Sequence, residues 1–255
     1  METGLYPECV AEYGFSDNSV NKNGLKKVPI VLCPPEGASL LIKEGRTPVF
    51  LVRHGQTDWN LILRLQGREH VDLNDHGIRQ SEECAGLLLK AKEYGFDPKA
   101  IYSSPLSRAF VTSEIISEKL LLGDPRVCDG IIERDYGELS GLTLAERKKR
   151  FPKGERQAKG VESVPEAAFR MKKALVSITE KEAGDVIAVT HGGIINALFL
   201  KITNGKVGTG KNISENCGIS IVAVDEKVTI PLAYNLTGEG FLDYISGMKN
   251  KKPDR

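Results

Sequence analysis

The sequence predicts an α/β protein: a doubly wound, mostly parallel sheet flanked by helices on both faces. From Pro48 onward, short apolar or β-branched runs alternate with longer segments of helical period, the pattern of strands covered on both sides by crossover helices. The first run, Val49-Phe50-Leu51-Val52, passes directly into Arg53-His54-Gly55, and polar groups at a strand end beside a glycine turn mark where open α/β sheets bind ligands. At 255 residues the chain can also bury a sizeable core without disulfide or metal staples.

Residues 1–46 read as a largely irregular N-terminal extension rich in Asn, Gly, Pro and Lys. Its one apolar piece, Val28 to Leu32, is a candidate edge strand stopped by Pro34-Pro35. Strands are expected at 48–53, 99–103, 127–132, 185–190, 218–224 and 228–234. The last two, joined by Asp225-Glu226-Lys227, suit an antiparallel hairpin at the sheet edge. Between them, Asn74 to Tyr94 reads as a capped helix with a stripe through Ile78, Cys84, Leu87 and Leu88. Pro105 to Leu121 is a second helix with Pro in its first turn. A third runs from Pro165 to Ala183, and a fourth, Gly192 to Ile202, is apolar almost all round and should pack deep. The domain is expected to span 47–245, followed by a basic tail at 246–255.

The formal net charge is +1 with acids and bases interspersed, so no basic stripe points to nucleic acid and no polybasic segment to a membrane. The beginning, Met1-Glu2-Thr3-Gly4, has no basic or apolar leader pattern, and no apolar run approaches the ~20 residues that span a bilayer, so a cytoplasmic location is expected. Cys9, Cys33, Cys84, Cys128 and Cys217 are widely separated and odd in number, which favours free thiols over zinc or a disulfide framework.

Four consecutive strand candidates end in groups suited to phosphate chemistry. Arg53 and His54 follow the first; Ser103-Ser104-Pro105-Leu106-Ser107-Arg108 follows the second and puts an Arg in a helix's first turn. Ile131-Ile132 leads into Glu133, and Val189-Thr190 into His191-Gly192-Gly193 at another helix start. In a parallel sheet these ends share one edge, so residues far apart in sequence can meet in one crevice.

The segments Leu51-Val52-Arg53-His54-Gly55-Gln56-Thr57-Asp58-Trp59-Asn60, Gln66-Gly67, Ser103 to Ala109 and Thr190-His191-Gly192-Gly193 resemble the histidine phosphatase superfamily, in its phosphoglycerate mutase-like branch. The likeness covers residues 48 to 235. It implies a phosphoglycerate mutase-like fold, a nucleophile at His54, a general acid at Glu133, and a phosphate pocket of Arg53, Arg108 and His191. It also implies a phosphate-contacting Asn60, with Thr57, Gln66, Gly67 and Gly192 on the substrate side. No metal and no other cofactor is called for, because guanidinium groups supply the positive charge that Mg²⁺ provides elsewhere. The implied partner is a small phosphorylated metabolite, with neither nucleic acid nor membrane; the motifs are silent on oligomeric state.

The likeness leaves two readings, hydrolysis of the phosphohistidine or its transfer to a second hydroxyl as in a mutase. Glu133 to Leu144 resembles the mutase stretch and keeps Tyr136, but Leu144 stands where mutases carry a substrate-binding Lys, and their following insertion with paired arginines is missing. Gly160-Val161-Glu162-Ser163, with Arg170 downstream, looks like phosphatase-type members, so hydrolysis is favoured. Gly205 to Asn212 nearly spells a P-loop, but Asn212 replaces the Ser or Thr that binds Mg²⁺ and the segment follows a helix; a mobile surface loop is expected. His70, His76 and Trp59 read as ordinary loop, cap and packing residues.

Overall fold

The computed structural model describes residues 13–14 and 28–249. Its strands are β1 (Tyr13–Gly14), β2 (Ile30–Val31), β3 (Thr47–Arg53), β4 (Pro98–Ser103), β5 (Arg126–Val127), β6 (Asp185–Thr190), β7 (Ile219–Val224) and β8 (Thr229–Leu236). They form one sheet in the order β1-β2-β8-β7-β3-β6-β4-β5. The run β3-β6-β4-β5 is parallel, as the alternation of strands and helices predicts. From β3 outward through β7, β8, β2 and β1 the pairing is antiparallel, because β7 and β8 are joined by a hairpin too short for a crossover.

The register of the central strands builds the site. Arg53 pairs with Thr190, so the next residues, His54 and His191, leave adjacent strands side by side. The His54 amide extends the ladder by donating to the Thr190 carbonyl at 3.0 Å, and the Ser104 amide donates to the Val189 carbonyl at 3.0 Å. Three strand ends are thereby aligned on one edge.

The helices are α1 (Pro35–Lys43), α2 (Asp58–Leu61), α3 (Asp75–Ala91), α4 (Ser107–Leu120), α5 (Leu144–Arg150), α6 (Val164–Thr179), α7 (Gly192–Ile202) and α8 (Gly238–Lys249). Side chains alternate across β3 as the pleat requires. Phe50 and Val52 join the core built with α1, α3, α4 and α8; Val49 and Leu51 join the core built with α6 and α7. Full burial of such side chains is worth about 1.5–3 kcal/mol each over exposure, which fixes the strand register. Local signals start the helices: Asn74 accepts from the Gly77 amide to cap α3, and Ser163 forms a capping box with Glu166 for α6.

Some expectations need correction. Within the described part of the extension a helix replaces the expected irregular chain after Pro34: Pro35 is the first residue of α1, where its missing N–H costs nothing, and Ala38 and Leu41 are buried in the core. The basic tail does not begin at 246, since α8 runs to Lys249 and Met248 is buried. The strand expected at 127–132 stops at Val127 and becomes a single 3₁₀ turn over Asp129–Ile131. Gly130 presses against α6 there, where a Cβ would lie 2.4 Å from that of Ala174, so the chain turns instead of extending. Cys84, Cys128 and Cys217 are free thiols; Cys9 lies outside the described residues. Among the described residues no helix is long and apolar enough to cross a membrane.

Candidate active site

His54 leaves β3 buried, 3% exposed, with both ring nitrogens engaged. Nδ1 lies 2.6 Å from the Gly55 carbonyl oxygen, which can only accept, so Nδ1 carries the proton. Nε2 accepts from the Arg108 Nε–H at 3.2 Å and therefore holds the lone pair. Burial, then the charges of Arg108 and Arg53, push the His54 pKa well below its ordinary 6.5. The ring is thus a neutral imidazole with its free electron pair at Nε2.

Arg108, in the first turn of α4, is 1% exposed. Besides contacting His54 it donates to the carbonyls of Glu69 at 2.7 Å and Gly67 at 2.8 Å, so one guanidinium ties the His54 ring to the loop after α2. Burial draws its pKa down to about 10, with Glu133 opposing the shift; it remains a cation at neutral pH. Arg53 donates to the Ser214 carbonyl, while its Nε is buried without a partner.

Glu133 follows the short turn after β5. Its Oε1 accepts from the Arg134 amide at 2.8 Å and its Oε2 from the Gly193 amide at 3.0 Å, the latter at the N-terminus of α7. The segment carrying it is clamped by Arg170, which donates to the Gly130 and Ile132 carbonyls at 3.0 and 2.9 Å and pairs with Glu162. Gly193 must lack a side chain: a Cβ would fall 2.2 Å from the Tyr136 hydroxyl and 2.6 Å from Glu133 Oε1.

These groups line a cavity of about 290 Å³, together with Asn60, Gln66, Gly67 and Gly192. His191 stands behind it rather than in its wall: it is fully buried, with its ring centroid 5.1 Å from that of His54. Its Nε2 bonds the Ser104 hydroxyl at 2.7 Å, its Nδ1 is buried without a partner, and burial holds its pKa well below 6.5. Asn60 reaches the cavity, but its Oδ1 already accepts from the Thr57 amide at 3.0 Å and from Asn216 Nδ2 at 3.4 Å. Thr57 does not line the cavity. It is fully buried and forms the capping box of α2 with Asn60, so it positions that loop rather than meeting a ligand.

The cavity wall also contains residues that the motifs did not single out as site residues: Arg64, Arg134, Tyr136, Arg147, Glu155, Asn196, and Thr209, Gly210 and Asn212 to Ser214 from one segment. That segment includes the end of the P-loop decoy, which is docked rather than a free surface loop. The Thr209 amide donates to the Asn196 carbonyl of α7 at 3.2 Å, and Val207 and Asn212 are buried. Asn216, just beyond, donates from Nδ2 to the His54 carbonyl at 2.9 Å. Only its place in the loop before β7, beside β3, reveals that role.

One imidazole, two guanidiniums and a carboxyl lining one cavity, with a second imidazole behind it, fit a class of enzymes that act on phosphoric monoesters. The chain belongs to the histidine phosphatase superfamily (branch 1), matched over residues 49–237. It is 38% identical to an uncharacterized phosphatase PhoE of Bacillus subtilis over 62% of this chain and 79% of that protein. It is 32% identical to a metal-independent phosphoserine phosphatase of Arabidopsis thaliana over 77% of this chain and 86% of that one. Among solved structures, mycobacterial glucosyl-3-phosphoglycerate phosphatase superposes with a TM-score of 0.65 at 25% identity, covering 75% of this chain and 100% of that one. Phosphoglycerate mutases are also among its relatives.

Proposed function

We propose that the protein is a metal-independent phosphatase that hydrolyses a small phosphorylated metabolite through a phosphohistidine on His54. The observation that carries this reading is the state of that ring: neutral, protonated on Nδ1, with the Nε2 lone pair at a cavity lined by Arg53, Arg108 and Glu133.

Nε2 attacks phosphorus in line with the ester oxygen; the N–P bond forms as the P–O bond breaks. Arg53 and Arg108 offer planar forks of donors to the phosphoryl oxygens and stabilise their charge in the transition state. Glu133 gives its proton to the leaving alkoxide. In the second step the carboxylate takes a proton from water as that water attacks phosphorus, which returns the neutral ring and free phosphate. His191 stands behind His54, its ring centroid 5.1 Å away, and supports that ring from outside the cavity.

Transfer to water rather than to a second hydroxyl is supported by Leu144 in place of the mutase Lys, and by a short segment 147–163 where mutases insert paired arginines. The phosphatase names of the relatives support it too. The test is a panel of phosphorylated metabolites assayed for released phosphate in EDTA. Release by the wild type and its loss in His54→Ala are expected; interconversion of 2- and 3-phosphoglycerate without net release would establish the mutase instead.

A further inference from the structure

The thiols of Cys84 and Cys217 take no part in the chemistry above, yet they meet beside the turn that carries His54. Cys84 follows Ser81 by one turn of α3, and the same face of that helix meets the loop before β7: Ser81 Oγ lies 3.9 Å from Cys217 Sγ. The two thiols share a hydrogen bond, which together with burial holds the Cys84 pKa well above its ordinary value. Cys84 is 4% exposed, whereas Cys217 is partly exposed, so a reagent from solvent meets Cys217 first.

Each cysteine belongs to a segment that holds the catalytic turn. Cys217 has a left-handed backbone with φ +57°, a conformation that persists outside glycine where the surroundings impose it. Here the end of β3 imposes it. The Cys217 amide donates to the Arg53 carbonyl at 2.9 Å, the Arg53 amide donates to the Gly218 carbonyl at 3.1 Å, and Asn216 Nδ2 holds the His54 carbonyl. On the side of α3, Ser81 Oγ lies 2.8 Å from the Gly77 carbonyl and 3.2 Å from the Thr112 hydroxyl, which accepts from the Gly55 amide at 3.1 Å. Gly55 is the residue whose carbonyl holds His54 Nδ1. A bond between the two sulfurs would therefore pull on both supports of the His54 ring.

We propose that Cys84 and Cys217 form a modification site for a two-electron oxidant of the hydroperoxide class, and that the resulting disulfide lowers turnover until a thiol reduces it. The Cys217 sulfur attacks one peroxide oxygen; the O–O bond breaks, leaving a sulfenic acid at Cys217 and releasing water or an alcohol. The Cys84 sulfur then attacks that sulfur, the S–O bond breaks, and water leaves with the Cys84 proton. The two thiols lose two protons and two electrons in all, and the peroxide gains them. Bonded sulfurs lie about 2.05 Å apart, closer than two hydrogen-bonded thiols, so the disulfide draws α3 and the loop around Cys217 together and disturbs the clasp on Arg53 and His54. The site goes beyond the phosphatase reading, because formation of the bond is read from mass alone.

The experiment treats wild-type protein with hydrogen peroxide, blocks the remaining thiols with iodoacetamide, and maps the digest by mass spectrometry before and after dithiothreitol. Oxidised protein should yield a linked peptide pair containing Cys84 and Cys217, which dithiothreitol separates. Its kcat/KM on p-nitrophenyl phosphate should fall about tenfold or more, the scale at which small misplacements of reacting groups act, and should recover with dithiothreitol. Cys84→Ala and Cys217→Ser should keep most of the reduced rate and lose both the linked peptide and the reversible fall. The linked peptide is read on wild type, so a variant that fails to fold does not remove the test. No linked peptide, a linked peptide with unchanged turnover, or an equal reversible fall in either variant overturns the proposal. Reduced protein that hydrolyses no phosphomonoester but still forms the linked peptide would overturn the phosphatase reading and leave the dithiol site standing.

Discussion

The Nε–H of Arg108 donates to Nε2 of His54 at 3.2 Å, so the residue that would grip the phosphoryl group also marks the nitrogen that would attack it. With Nδ1 held by the Gly55 carbonyl, only one tautomer satisfies both bonds. Substrate need only replace His54 as the partner of Arg108 for the lone pair to face phosphorus.

The pH dependence follows from burial. The pKa of His54 lies well below 6.5, through desolvation first and the neighbouring guanidiniums second. The acidic limb of kcat/KM that belongs to this ring should therefore fall well below pH 6.5, where an ordinary imidazole would already be half protonated. A limb at 6.5 that disappears on replacing His54 would contradict the depressed value.

Stability carries the same signature. His54 and His191 are both buried with lowered pKa values, so below 6.5 the unfolded chain binds protons that the folded one refuses. Stability should fall as pH drops from 6.5 toward the folded pKa values, by up to about 1.4 kcal/mol per pH unit for each ring. Denaturant melts from pH 7 to 5 of wild type and His191→Asn read this: the variant's pH slope should be shallower by about one proton.

Arg108→Lys should lower kcat/KM by roughly 10²–10³, the scale of losing one preorganised donor to a transition state. An ammonium cannot span His54 Nε2 and the carbonyls of Gly67 and Glu69 at once. Loop 66–69 should also become more open to proteolysis. Near-native kinetics in this variant would remove the guanidinium from the mechanism.

Glu133→Gln separates acid catalysis from binding. With an alkyl phosphate, whose leaving oxygen needs a proton, the rate should fall about 10²–10⁴-fold. With p-nitrophenyl phosphate, whose leaving group departs as a stable anion, the first step should fall far less. An equal loss in the first step, read as single-turnover release of the alcohol, on both substrates would remove Glu133 as the acid.

Gly193→Ala tests the seat of that carboxyl. The new methyl would sit 2.6 Å from Glu133 Oε1 and 2.2 Å from the Tyr136 hydroxyl, both in the cavity wall. Turnover should drop at least tenfold, the scale at which small misplacements of reacting groups act, and circular dichroism should report an intact fold.

How much of this was legible depended on which force set each element. β3 and β6 are continuous apolar runs whose burial dominates every local preference, so their ends, with Arg53, His54 and His191, could be placed from sequence. α7 was legible for the same reason. Arg64 and Arg147 were not, because each sits in a polar stretch and turns inward only through the long-range bridge between Arg64 and Thr143. α1 was hidden by Pro34-Pro35, which reads equally as a stop and as a helix start. Thr57, expected on the ligand side, caps α2 instead of lining the cavity, because a capping hydroxyl and a binding hydroxyl look alike in a motif.

The central claim is a covalent bond between phosphorus and one nitrogen. Wild-type protein mixed with ³²P-labelled substrate and quenched in alkali within a single turnover should yield label that is stable to base, labile to acid, and located on His54 by peptide mass spectrometry; His54→Asn should carry none. Label on another side chain, or steady phosphate release by His54→Asn at the wild-type rate, would contradict the account.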